Sequence, residues 1–161
     1  MAITAGMVKE LREKTGAGMM DCKKALTEAE GNMDRAIDIL REKGLSQAAK
    51  KSDRIAAEGL VGMMISEDGK KAAMTEVNSE TDFVAKNEEF QTFVANVTKV
   101  AMEKEPKDLE ALLASEYSAG VTVEAELTSK IAKIGENMNV RRFSALSIEA
   151  GRISGYVHGA G

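Results

Sequence analysis

The spacing of apolar residues changes near residue 57, and this change constrains the fold more than any other feature of the sequence. Before it, apolar side chains recur at intervals of three and four residues, which is the pattern of an amphipathic helix. After it, Val61, Met63 and Ile65 occupy every second position, as in a strand with one buried face. The pattern therefore predicts a helical N-terminal part followed by a part that contains a sheet.

Three short helices are predicted within residues 1–44. Thr4 and Asn32 are suitable N-caps for the first and third helices, and Gly44 is expected to end the third as its C′ residue. Residues 45–54 lack a strong apolar stripe and form a predicted linker, which could be helical. The size and turns resemble a ubiquitin-associated-type module. The residues predicted to face inward are Met7, Val8, Leu11, Cys22, Ala25, Leu26, Ala29, Met33, Ala36, Ile37 and Leu40.

The following residues combine strands and helices. Val61, Met63 and Ile65 are predicted to share one face of a hairpin that turns at residues 67–69. A strongly amphipathic helix should follow, and then two further helices, the last of which ends at Gly135. Two final strands are expected at residues 140–148 and 153–158. The predicted fold class is α+β: a three-helix bundle with linker over residues 1–54, then an antiparallel sheet packed with helices over residues 55–161.

Composition excludes several classes of protein. The chain is 43% hydrophobic and 30% charged, as in a globular protein, and its net charge of −4 argues against direct binding of nucleic acid. No apolar run approaches the roughly 20 residues that span a membrane, and no signal peptide is visible. A single cysteine fits a reducing compartment. We therefore expect a cytoplasmic protein without a membrane contact.

Two patterns suggest chemistry but have simpler explanations. Residues 15–18 precede a helix N-terminus, which can bind phosphate, but no strand comes before them and no Walker lysine follows, so a tight turn between helices is favoured. Cys22 and His158 could form a nucleophile and base, but Cys22 lies on an apolar helix face. One cysteine and one histidine also make a poor metal site. We expect no enzyme active site and no cofactor.

Met19 and Met20 stand side by side at the start of the second helix. Both cannot face the same core, so one of them could be buried and the other incidentally exposed. Alternatively, both could belong to a contact surface, for which the adaptable methionine side chain is well suited. The residues alone leave both interpretations open.

The run Asn78–Asn87, NSETDFVAKN, places a carboxylate beside an aromatic ring between a strand and a helix. Asp82 could cap a helix that begins near Val84, and Phe83 could pack back onto the three-helix bundle. Alternatively, Phe83 could reach into a partner. These interpretations also remain open from the residues alone.

Several segments, in order along the chain, resemble the elongation factor Ts family. Residues 81–85 are similar to its TDFVA signature, and residues 11–26 resemble its N-terminal signature over their whole length. Residues 134–143 are similar to its IGENI-type segment, and residues 156–159 to its Tyr-x-His-Gly motif. Family chains usually continue past the position of Gly161, so the resemblance implies an incomplete core.

The resemblance implies a guanine-nucleotide exchange factor for elongation factor Tu in translation elongation, which binds that partner in its GDP-bound and nucleotide-free forms. The alternatives are a non-catalytic protein-binding module built on the three-helix bundle, and an enzyme, which lacks a convergent acid, base and nucleophile. Exposed apolar surface on an incomplete core would favour self-association. The residues implied to dislocate the partner's magnesium are Thr81, Asp82, Phe83 and Val84. Those implied to bind the partner are Arg12, Met19, Met20, Lys23 and His158.

Overall fold

The structure is a computed structural model that describes residues 2–159. The chain forms two compact units, one from the residues up to Arg54 together with residues 128–137, the other from residues 55–127 together with those from Met138 onward. Helices and an antiparallel sheet confirm the α+β class. In chain order the elements are α1 (Ala5–Thr15), α2 (Met19–Glu28), α3 (Met33–Lys51), β1 (Glu58–Ile65), β2 (Lys71–Ser79), α4 (Asp82–Ala85), α5 (Glu88–Lys104), α6 (Leu109–Ala114), β3 (Glu116–Ser118), β4 (Val121–Thr122), α7 (Val123–Ile134) and β5 (Met138–Ser147).

The first unit contains the predicted three-helix bundle. Thr4 Oγ1 accepts a hydrogen bond from the Met7 amide, and Asn32 Oδ1 accepts one from the Arg35 amide, so both predicted N-caps are confirmed. The predicted core is also largely confirmed, although Met7, Met33, Ile37 and Leu40 are only partly buried. The buried core residues are Val8, Leu11, Cys22, Ala25, Leu26, Ala29 and Ala36.

Gly44 does not end the third helix, contrary to the prediction. It is buried in the middle of α3, and the residues predicted as a linker continue this helix to Lys51. A Cβ atom placed on Gly44 would lie 3.8 Å from Thr128 Cγ2 and 3.9 Å from Ala132 Cβ of α7. Glycine within a helix costs only about 0.5–1 kcal/mol relative to alanine. Packing between α3 and α7 therefore outweighs the helix-ending tendency of this residue.

The main sheet has the strand order β1-β2-β5, and both pairs are antiparallel. The predicted hairpin and its turn are confirmed, with Gly62 of β1 opposite Thr75 of β2. A Cβ atom on Gly62 would overlap Thr98 Oγ1 and lie 2.9 Å from Val94 Cγ1, so Gly62 packs directly against α5. Because side chains alternate along a strand, Leu60, Gly62 and Met64 form the face of β1 toward α5.

Val61, Met63 and Ile65 share one face of β1, as predicted, and this is the outer face, away from α5. Val61 is 59% exposed on the outer face of the sheet. Met63 and Ile65 are covered there by the C-terminal part of the chain, since a Cβ atom on Gly155 would lie 2.7 Å from Met63 Sδ and 3.1 Å from Ile65 Cδ1. Both faces of β1 are thus apolar, and a period of two does not indicate which of them a helix covers.

The helices after the hairpin agree with the prediction. Phe90, Phe93, Val94, Val97 and Ala101 are all buried on α5. The short strands β3 and β4 were not predicted. They pair as a small hairpin whose Tyr117 ring lies 5.7 Å from the Phe93 ring, centroid to centroid.

The predicted final hairpin is wrong in its second strand. β5 runs from Met138 to Ser147, but no strand forms at residues 153–158. Residues 148–155, which we call the C-terminal strap, instead bind the β1–β2 turn. The Ile148 amide donates to the Lys70 carbonyl at 2.9 Å, and the Ile153 amide donates to the Gly69 carbonyl at 2.8 Å. A final hairpin would have bonded the Ile153 amide to β5; this amide is bonded to the β1–β2 turn instead.

Candidate functional site

The helix that carries Asp82 and Phe83 is a single turn, α4, at the end of β2. Its N-cap is Thr81, whose Oγ1 accepts a hydrogen bond from the Val84 amide at 3.4 Å. The interpretation of Asp82 as the cap is therefore wrong, because the turn begins one residue earlier. The buried Ser79 hydroxyl donates to the Thr81 carbonyl at 3.0 Å and joins the cap to the strand.

Side chains of α4 divide between two opposite directions. Residues of an α-helix are separated by about 100° around its axis, so Phe83 and Ala85 lie about 200° apart, on opposite sides of the turn. Val84 and Ala85 are buried, whereas Phe83 is 80% exposed. Phe83 is therefore not a core residue. The two inward side chains hold the turn in place while the aromatic ring and the carboxylate project into solvent.

The N-terminus of α5 supports this turn from the other side. The Asn87 amide donates to the Val84 carbonyl at 2.9 Å, and Asn87 Oδ1 accepts from the Phe90 amide at 3.1 Å. Gln91 Nε2 donates to the Ala85 carbonyl at 3.4 Å. Phe90, unlike Phe83, is fully buried. The backbone of α4 is thus bonded to the following helix and packed by its own inward residues.

Asp82 makes only one weak ion pair among the contacts of this turn. Lys86 Nζ lies 3.3 Å from Asp82 Oδ2, one helical turn away, and both side chains are exposed. Pairs of this kind contribute about 0.3–0.5 kcal/mol. A stronger cationic group could therefore compete for the Asp82 carboxylate at little cost.

A second exposed apolar surface lies at the start of α2 in the helical unit. Met19 and Met20 are 60% and 64% exposed, so the interpretation in which one of them is buried is wrong. Lys23 is exposed on the same arc of the helix, and Arg12 is exposed on α1. Four of the residues implied by the family resemblance are thus on the surface of one unit.

Cys22 does not suit the role of a nucleophile. It is completely buried, and burial raises the pKa of its thiol above the ordinary value of 9.0. A thiol that stays protonated and away from solvent reacts poorly. Among residues 2–159, no group of three or more His, Cys, Asp and Glu side chains is arranged to hold a metal ion.

His158 is exposed beyond the C-terminal strap and contacts Tyr156. The Tyr156 hydroxyl lies 3.2 Å from His158 Nδ1, and the two ring centroids are 6.2 Å apart. Tyr156 is 82% exposed and was not among the site residues predicted from the sequence. Its position two residues before His158 was the available signal, because such residues share one side of an extended chain.

The outer face of the main sheet carries a further apolar group that the sequence did not predict. Val61, Met74 and Leu146 are exposed there, on three neighbouring strands. Their register places Met74 diagonally next to each of the other two, close enough for large side chains to touch. At the β5 bulge, Arg142 Nε lies 3.2 Å from Glu76 Oε2 on the same face.

Within the part of the chain that the structure describes, no helix is both long and apolar enough to cross a membrane.

Comparison with known proteins gives consistent matches. A family model described as "Elongation factor TS" matches residues 80–161. The Elongation factor Ts of Clostridium novyi is 60% identical over 161 residues, which covers 99% of this chain and 53% of that protein. The Elongation factor Ts of Clostridioides difficile is 55% identical over 159 residues, with coverage of 99% and 52%. That of Sphingopyxis alaskensis is 57% identical over 158 residues, with coverage of 98% and 51%. The chain therefore spans about half the length of the curated relatives it matches.

Proposed function

The chain belongs to the elongation factor Ts family, and we propose that it is a guanine-nucleotide exchange factor that promotes GDP release from elongation factor Tu. The single observation that carries the proposal is the Phe83 side chain, which is 80% exposed on a turn whose backbone is held by α5. The proposal includes a cytoplasmic location and binding to the GDP-bound and nucleotide-free partner. It includes no active site of the chain's own and no direct contact with nucleic acid or membrane.

The proposed mechanism acts on the partner's magnesium site. Bound nucleotide is held largely through its phosphates and Mg²⁺, the largest local charge in such a site. Residues 81–84 would enter beside that site, where the Phe83 ring displaces the groups that position the metal. Asp82, which is held only by a weak ion pair with Lys86, would take a cationic group of the partner. Exchange then results from a coupling free energy between two binding events, because binding of this chain and binding of nucleotide weaken each other to the same extent.

The remaining proposed contacts contribute affinity for elongation factor Tu rather than displacement of the groups that position its magnesium. Met19 and Met20 offer unbranched, adaptable apolar side chains, which suit a contact surface. Arg12 and Lys23 offer exposed cationic groups near them in the sequence, and His158 offers a polar contact in the other unit. Such residues should affect affinity, whereas Phe83 should affect the rate at which nucleotide leaves.

The experiment is stopped-flow release of a fluorescent GDP from elongation factor Tu, with the parent chain and with Phe83→Ala. A buried interface anchor is worth about 2 kcal/mol or more, and each 1.4 kcal/mol corresponds to a factor of ten. We therefore expect Phe83→Ala to slow stimulated release by at least about 10-fold. Ile55→Ala is the matched control, because Ile55 is an apolar side chain that is 84% exposed and has no proposed contact.

Stability measurements distinguish a role of Phe83 in contacting the partner from a role in packing the fold. Substitution of an exposed side chain usually changes stability by less than about 0.5 kcal/mol, so Phe83→Ala should unfold at the same urea concentration as the parent. A Phe83→Ala variant that stimulates release normally but unfolds in milder urea would contradict the proposal for this residue. The intact chain should also accelerate GDP and GTP exchange without changing their relative equilibrium affinities when present in trace amounts.

A second candidate function is a protein-binding module that does not promote exchange. The exposed pair Met19 and Met20 on the helical unit favours it, because this surface needs no contribution from Phe83. Such a module would bind the partner tightly in calorimetry and leave the rate of GDP release unchanged.

A further inference from the structure

The part of the chain that precedes Tyr156 is fixed to the sheet rather than hanging free. The C-terminal strap is bonded to the β1–β2 turn by the two amides described above, and Lys70 Nζ donates to the Gly151 carbonyl at 2.5 Å. At its end, Gly155 lies so close to Met63 that a Cβ atom would be 2.7 Å from the Met63 Sδ atom. The backbone at residue 155 therefore has a defined position on the outer face of β1.

The side chains of Tyr156 and His158 follow directly after residue 155 and lie next to each other. Their rings lie on the same side of the chain, and the Tyr156 hydroxyl is 3.2 Å from His158 Nδ1. A neutral imidazole has one nitrogen that donates and one that accepts. When the phenol donates to Nδ1, the proton of the imidazole must lie on Nε2, and this N–H is then the free polar group of the ring.

We propose that Tyr156 is a positioning residue for His158: its hydroxyl binds Nδ1, sets the tautomer and orientation of the ring, and presents Nε2–H to a hydrogen-bond acceptor of elongation factor Tu. The acceptor would be a main-chain carbonyl or a carboxylate, because these groups accept and do not donate. The inference rests on the proposed function, since it assigns how one of its contacts is made. Tyr156 acts here through His158 and not through a contact of its own.

The test on the free chain uses the fact that His158 is the only histidine of the protein. Its imidazole nitrogen signals can be assigned without ambiguity in a ¹⁵N-labelled sample. Tyr156→Phe removes only the hydroxyl, and we expect it to shift the Nδ1 signal. Tyr117→Phe is the matched control: it removes the hydroxyl of the only other tyrosine, which accepts from Asn96 Nδ2 at 3.0 Å. This control should leave the His158 signals unchanged.

The test on the complex is a double-mutant cycle of binding to nucleotide-free elongation factor Tu by calorimetry. Loss of one hydrogen bond is worth about 0.5–1.5 kcal/mol, so Tyr156→Phe should weaken binding by about 2- to 10-fold. In a His158→Ala background it should have no further effect, because its only route to the partner has been removed. Tyr117→Phe should leave the affinity unchanged relative to each background.

The possible failures can be distinguished. A parent chain that neither binds the partner nor speeds GDP release would refute the proposed function itself. A parent chain that binds, with Tyr156→Phe binding equally well, would refute the role of Tyr156 alone. An equal loss from Tyr156→Phe with and without the His158 side chain would show an independent contact, and an unshifted Nδ1 signal would show that the bond to His158 does not form. Either result overturns the inference.

Discussion

Gly62 should be the least replaceable residue of the contact between β1 and α5, and its replacement by alanine can be worked out from the structure. The added Cβ atom would overlap Thr98 Oγ1 and would lie 2.9 Å from Val94 Cγ1 and 3.1 Å from Thr75 Oγ1. The backbone of Gly62 is not in the left-handed region, so the cost is one of packing and not of conformation. Overpacking of a core typically costs about 1–3 kcal/mol.

A buried hydrogen bond raises this cost. Thr98 Oγ1 donates to the Val94 carbonyl at 2.8 Å, so its own hydrogen is used and Thr75 must donate to it across 2.5 Å. Both threonines are about 1% exposed. Displacing Thr98 would leave the Thr75 hydroxyl unsatisfied in the core, which costs about 1–3 kcal/mol. Gly62→Ala should therefore destabilise the protein by roughly 2–6 kcal/mol.

Gly44→Ala provides the matched control because it is the same substitution with the opposite expected sign. The Cβ atom would lie 3.8 Å from Thr128 Cγ2, an ordinary contact distance, inside a helix. Alanine is favoured over glycine there by about 0.5–1 kcal/mol, so this variant should be more stable than the parent. Both are measured by urea unfolding followed by circular dichroism. A Gly62→Ala variant as stable as the parent would show that β1 and α5 are not in close contact.

Three further predictions concern the surface and the thiol. Arg12→Ala and Met20→Ala should each weaken binding to nucleotide-free elongation factor Tu by about 1–3 kcal/mol in calorimetry; a loss of helicity in either variant would instead indicate a role in the fold. Burial raises the pKa of Cys22, so its contribution to stability is complete below its ordinary pKa of 9.0 and is lost as the pH rises through the higher folded value. The guanidinium concentration at which half of the protein is unfolded should thus fall less steeply with pH above about pH 9 in Cys22→Ala than in the parent. An equal fall in both proteins would contradict this. The apolar group around Met74 should promote self-association, which Met74→Lys should reduce in sedimentation; a parent chain that sediments as a monomer would refute it.

The parts of the fold that depend on local pattern were predictable from the sequence. Thr4 and Asn32 cap their helices because a short polar side chain can reach the amide of the third residue that follows it, whatever the rest of the chain does. The buried stripes of α2 and α5 were predictable for a similar reason, since one helix face must meet the core. These features depend on residues that are close together in the chain, so the local sequence is enough to predict them.

Two predictions about the fold failed because of segments that are distant in the chain. Gly44 has the sequence of a helix end, but α7 packs on it and the helix continues. The expected strand at residues 153–158 is replaced by the strap, because the amide of Ile153 bonds to the β1–β2 turn. Neither spacing nor composition indicates which distant partner a backbone group will find.

At the candidate site, too, the local sequence predicts some features and leaves others open. The residues around Phe83 left a packing role and a contact role open; its 80% exposure excludes the packing role, and the contact role is the one proposed above. For the proposed exchange activity this geometry has an energetic consequence. An anchor that must first be ordered loses part of its binding energy to that ordering, whereas a preorganised one keeps it. Thr81 caps the turn, Val84 packs it, and Asn87 bonds it to α5, so the backbone that carries the ring is already ordered in the free protein. Substitution of Asn87, which lies outside the proposed contact segment 81–84, should therefore weaken exchange without removing a proposed contact, and in this way the fold itself contributes to the proposed function.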